Sequence, residues 1–154
     1  GAGISERATV SHMTAPRILV VDDEPNIRDL LTTGLRFAGL EVKTVANGAQ
    51  TISAVLEEEP DLIVLDDLFL ARRIGEASAE LLQTVVHQRY KRRRSILVTS
   101  NRVVQDWGKY LGDATMATTI LDRLMHRCAM LEFEGKSYRL KEAAARLIIT
   151  SDPA

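Results

Sequence analysis

A chain of 154 residues, 45% hydrophobic and 27% charged, suits one globular domain with a full core and leaves no room for a second of ordinary size. Twenty Lys and Arg against 21 Asp and Glu give a formal charge of −1, so bulk charge selects neither nucleic acid nor an anionic membrane as a partner. No apolar run approaches membrane-spanning length and no secretory core opens the chain, which makes the cytoplasm the expected location, and a lone Cys128 excludes an internal disulfide or a cysteine-built metal cluster.

Residues 1–14 have no hydrophobic period, include Ser11-His12-Met13 of the kind left at a cloning junction, and are set apart as a disordered, tag-like leader. Arg17 to Val21 is the first buried strand and runs into Asp22-Asp23-Glu24-Pro25, with the proline suited to a first helical turn. Ile27, Leu30, Leu31, Leu35 and Ala38 recur at helical spacing, and Gly39 fits a left-handed stop. A short strand spans Leu40 to Val45. Asn47-Gly48 then opens a helix with Ile52, Val55 and Leu56 on one face, which ends before Pro60.

Pro60-Asp61-Leu62-Ile63-Val64-Leu65-Asp66-Asp67-Leu68 is the central stretch. Four apolar residues ended by paired carboxylates predict a parallel strand buried on both faces, with its acids at the carboxyl edge of the sheet, where open α/β folds place ligand chemistry. Beyond it, Ala77, Leu81, Leu82, Val85 and Tyr90 mark a helix that ends in the basic run Lys91 to Arg94. Ser95 to Thr99 is the fourth strand, and Val104, Trp107 and Tyr110 suggest a short helix with the tryptophan as a core anchor. Gly112-Asp113 is a turn, and Met116, Ile120, Leu121, Leu124 and Met125 form the next helix. Ala129 to Phe133 reads as a fifth strand, Gly135-Lys136 as its turn and Lys141 to Ile149 as a closing helix; Cys128, beside that strand, reads as a buried core thiol. The alternation predicts one α/β domain over 15–150, a three-layer α-β-α sandwich around a five-stranded parallel sheet.

The segments RILVVDDEPNIRDLLTTGLRFAGLEVKTVANG and PDLIVLD closely resemble the receiver domain of bacterial response regulators, over 15–66. That resemblance implies a flavodoxin-like fold, a phosphoacceptor at Asp66 and a weak Mg²⁺ site formed by Asp22, Asp23 and Asp66, in keeping with the appetite of hard cations for carboxylate oxygens. Thr99 stands where receivers carry a hydroxyl. Their lysine, which is followed by proline, has no equivalent, and Lys136 is the nearest substitute.

From LIVLDDLFLARR onward the chain looks different. Together with ELLQTVVHQRYKRRRSILVTSNR, DWGKYLGD, ATTILDRLMHRC and EGKSYRLKEAA, this segment resembles the carboxyl-terminal half of the IstB-like transposition helper ATPases, AAA+ relatives of DnaC, over 62–146. The resemblance implies Asp66 and Asp67 as Walker B acids, Asn101 as a phosphate sensor and Arg123 as an arginine finger. The phosphate-cradling loop G-x-x-x-x-G-K-[ST] is missing. Gly135-Lys136-Ser137 does not supply it, because Met130 stands where the loop's first glycine belongs and Glu132 and Glu134 would repel polyphosphate.

Each half therefore lacks parts of its own site. The expectation is a chimera, engineered or recombined, with no evolved catalytic activity, no cofactor beyond weakly held Mg²⁺ and no ATP hydrolysis. Alternatives are a receiver-like signalling domain phosphorylated on Asp66, and a DNA-binding remnant that uses Arg92, Arg93 and Arg94. The amino-terminal half brings its own crossover between the first and third strands, which favours sheet order 2-1-3-4-5 over the P-loop order 5-1-4-3-2. A homodimer made by segment exchange is a further expectation, since a spliced core leaves apolar surface to cover.

Overall fold

The structure, a computed structural model, describes residues 14–67 and 76–135, with side chains described from Ala79 in the second stretch. Strand β1 (Arg17–Val21) leads to helix α1 (Pro25–Phe37), β2 (Glu41–Val45), α2 (Gly48–Glu58) and β3 (Leu62–Leu65). Then come α3 (Glu76–Lys91), β4 (Ser95–Val98), a 3-10 turn at Val104–Asp106, α4 (Trp107–Leu111) and α5 (Ala114–Met125). The predicted leader up to residue 13, Lys136 and the predicted closing helix lie outside the described residues.

Local chemistry sets the helix ends. Pro25 occupies the first turn of α1, and Gly39 turns left-handed (φ 87°) directly after its end. Asn47 caps α2 by accepting from the Gln50 amide at 3.0 Å, while the Gln50 side chain reaches back to the Ala46 amide. Glu59 closes α2 in the left-handed region (φ 43°), immediately before Pro60. Gly112 (φ 75°) ends α4, and Asp113 caps α5 by accepting from the amides of Thr115 and Met116.

The four strands form one parallel sheet in the order β2-β1-β3-β4. Because β1 lies between β2 and β3, in register Ile18 to Leu62 and Val21 to Leu65, the flavodoxin-like order holds over these strands. The P-loop order, which needs β1 beside β4, does not form. The predicted fifth strand is not seen: Ala129–Phe133 pairs with no strand among the described residues, and Met130, Leu131 and Phe133 are exposed. That stretch has no β-branched residue, so its apolar run was a weak strand signal.

One face of the sheet carries the main core. Leu19, Ile63 and Leu65 pack with Ala54 and Val55 of α2, Leu82, Val85 and Val86 of α3, Trp107 and Leu111 of α4, and Ala117 and Ile120 of α5. Trp107 is the predicted anchor, buried, with its indole N–H directed at the Arg102 carbonyl. Among the described residues the other face is thinner. Helix α1 lies against β1 and β2 and buries none of its own residues fully, so Leu30 and Phe37 face outward. Consequently β3 is not buried on both faces as expected; Ile63 and Leu65 are buried, whereas Leu62 and Val64 are half-covered. Cys128 is also exposed rather than a core thiol, because the chain has left the core by that point.

Candidate functional site

Three main-chain bonds carry the strand ladders one residue past their ends and so place the acids. The Asp22 amide donates to the Val45 carbonyl, Asp66 to Val21 and Thr99 to Leu65, which brings Asp22, Asp66 and Thr99 together at the carboxyl edge. The Thr99 hydroxyl donates to Asp66 Oδ1 at 2.5 Å and accepts from the Asp67 amide at 2.8 Å. Asp67 adopts φ 56°, the left-handed conformation, as the chain turns away.

Asp22 is the buried member. Its Oδ1 accepts from the Glu24 amide at 2.7 Å, and Oδ2 has no donor among the described residues. Burial pushes its pKa up to about 6, against the lowering effect of the Glu24 amide; proton sharing with Asp66 and the negative charges of Asp66 and Asp23 add to the rise. An ionised pair offers no donor for Oδ2, whereas a proton on Asp22 can be shared with Asp66. Asp23 is exposed, and no three His, Cys, Asp or Glu side chains among the described residues are grouped to hold a metal. The structure thus joins Asp22 with Asp66 and leaves Asp23 at the rim.

Among the residues implied by the ATPase resemblance, Asp66 and Asp67 lie at this edge, Asn101 is exposed just beyond β4, and Arg123 is half-buried in the last turn of α5. The basic run lies elsewhere, between the end of α3 and the start of β4, and acids accompany it. Arg92 pairs with Glu59, and Arg94 with Asp61 at 3.4 Å. Those pairs take up part of the charge that a phosphate backbone would require.

Arg89 is a residue the sequence reading missed. It is 2% exposed and donates from Nη1 to the Pro60 carbonyl at 2.6 Å and from Nη2 to the Asp61 and Ser95 carbonyls, both at 2.9 Å. The available signal was spacing, since Leu82, Val85, Val86 and Arg89 share one helical face.

Comparison with known proteins matches the family model for IstB-like ATP binding protein over residues 37–145, more than half of the chain. The chain belongs to this family. The IstB-like match reaches back through β2 and α2, upstream of the point at Leu62 where the motifs change. An insertion sequence IS21 putative ATP-binding protein of Pseudomonas aeruginosa is 39% identical over 92 residues, 59% of this chain and 34% of that protein. The transcriptional regulatory protein PrrA of Mycobacterium tuberculosis is 46% identical over 54 residues, 35% of this chain and 23% of that protein. The chain therefore spans about a third of the insertion-sequence relatives and about a quarter of PrrA.

Among solved structures, NtrX of Brucella abortus aligns with 90% of this chain and 28% of its own at 27% identity and TM-score 0.50. A CheY-like receiver domain protein of Methanospirillum hungatei aligns with 88% of this chain and 96% of its own at TM-score 0.54 and 18% identity, a likeness of fold. IstB-like sequence and receiver-like sequence and fold thus meet in one chain. No helix among the described residues is long and apolar enough to cross a membrane.

Proposed function

We propose that this is a recombined α/β domain in which a receiver segment stands where an IstB-like protein carries its nucleotide-binding segment, and that it does not hydrolyse ATP. One observation carries the reading. The β1–α1 connection, where a P-loop protein cradles phosphates on backbone N–H groups and a lysine, here consists of Asp22, Asp23 and Glu24. Three acids repel a polyphosphate, and Asp22, whose pKa is already raised by burial and then by its acidic neighbours, would be strained further by one. The relatives named as ATP-binding proteins lend that property no further than the segment this chain shares with them.

The Thr99–Asp66 bond favours a second reading, a receiver-like phosphoacceptor at Asp66. Asp22 and Asp66, with Asp23 at the rim, would hold Mg²⁺ weakly, and the metal would neutralise charge as a phosphoryl group arrives. Lys136, the nearest candidate for the receiver lysine, is outside the described residues. Two assays on the full chain separate the readings. With ATP and Mg²⁺, phosphate release at the no-protein background is expected, and release that disappears in Asp66→Asn would overturn the first reading. With acetyl phosphate and Mg²⁺, intact mass is expected to remain that of the bare chain; a labile phosphoryl adduct absent from Asp66→Asn would establish the second.

A further inference from the structure

The two edges of the sheet are protected very differently. Edge strand β2 carries Glu41 and Lys43, and Lys43 is paired with Glu58. Such charges discourage another strand from adding. At the opposite edge among the described residues, β4 reads Ser95-Ile96-Leu97-Val98, with no charge, no proline and Leu97 45% exposed. The chain also presents a stretch one residue longer that pairs with no strand among the described residues, Ala129–Phe133, with Met130 53%, Leu131 76% and Phe133 90% exposed. A strand edge and an apolar segment that both lack a strand partner among the described residues are complementary surfaces.

Charge decides the direction in which they fit. Arg92 and Arg94 are engaged by Glu59 and Asp61, whereas Arg93, exposed just before β4, has no ion pair among the described residues. Glu132 and Glu134 are exposed at the far end of the apolar stretch. Antiparallel pairing with Ala129 opposite Val98 sets Met130 against Leu97 and Glu132 against Ser95, and carries Glu134 toward Arg93, which stands in the turn (φ 53°) just before β4. Parallel pairing would instead carry both glutamates toward Asp66 and Asp22.

The chain's own segment is placed for the parallel arrangement only. The His126 ring meets Tyr90 edge-on with centroids 5.6 Å apart, which sets the end of α5 beside the end of α3, at the amino edge of the sheet where β4 begins. A segment that starts there can reach its own β4 edge only in the parallel sense. We propose that the antiparallel partner is a second copy, with the Ala129–Phe133 segment of each chain adding to the β4 edge of the other in a two-fold dimer.

The test is a charge exchange on the full chain, read by sedimentation equilibrium. Wild type is expected to dimerise reversibly with concentration. Glu132→Lys/Glu134→Lys and Arg93→Glu, each alone, set like charges opposite one another and are expected to weaken the dimer about tenfold or more. An equimolar mixture of the two variants restores opposite charges at both contacts and should return to wild-type dimerisation, which also shows that both variants fold. A wild type that is monomeric throughout, variants that dimerise like wild type, or a mixture that stays monomeric would each overturn the proposal.

Discussion

Arg89→Leu is expected to lose about 3 kcal/mol or more of stability, with a melting midpoint lower by ten degrees or so, measured by urea and thermal unfolding. Its guanidinium ties the end of α3 to the residues that open β3 and β4, at Pro60, Asp61 and Ser95. Leucine matches the apolar surroundings yet leaves the buried Pro60 carbonyl and the partly buried Asp61 and Ser95 carbonyls without this donor, and a fully buried orphan alone costs about 1–3 kcal/mol. Lysine should rescue little, because a single ammonium cannot reproduce the planar fork that reaches three carbonyls from one side. Burial, with Arg94 nearby, lowers the Arg89 pKa to about 10, so the group stays charged through neutral pH. Since a small domain holds only about 5–15 kcal/mol in all, this one side chain decides a large share of it.

Asp22→Asn is expected to have the opposite sign, and only above a particular pH. The folded-state pKa of Asp22 is raised from 3.8 to about 6, so the native chain binds that proton more tightly than the unfolded one. Between these values stability therefore falls as pH rises, and it stays reduced above about pH 6. Asparagine keeps an acceptor for the Glu24 amide, gains a donor that can face Asp66 and does not titrate. The variant should be more stable than wild type by about 1–3 kcal/mol at pH 7.5 and nearly equal to it at pH 4, measured by urea unfolding at both values. A gain that does not change with pH would mean that the carboxylate charge is not the cause.

Much of the fold could be read from residues alone. Paired boundary signals made the early elements legible: Pro25 and Gly39 bracket α1, and Asn47 and Pro60 bracket α2. The expected neighbours of β1 were correct because a complete β-α-β-α-β unit carries its pairing within it. The fifth strand failed where the signal was hydrophobicity without β-branching, and Cys128 was misplaced along with it. Burial of β3 was overstated because a run of four apolar residues cannot say that α1 packs mainly against β1 and β2.

At the candidate site, the acids at the strand ends were legible as residue types, and so was the hydroxyl at Thr99. Their grouping was not. That Asp66 takes the Thr99 hydroxyl, that Asp22 is buried against it and that Asp23 stays at the rim depend on how three strands are staggered.

By itself the amino-acid sequence determined the four strands and the helices between them and that two kinds of motif are present, because propensity, capping and periodicity act over a few neighbouring residues. Only the tertiary structure decided that Arg89 is buried beneath three carbonyls, that Asp22 and Asp66 share one environment and that the β4 edge carries no protecting charge. Solvation and electric field at a side chain are set by atoms far away in the chain, and pattern reading along a line has no access to them.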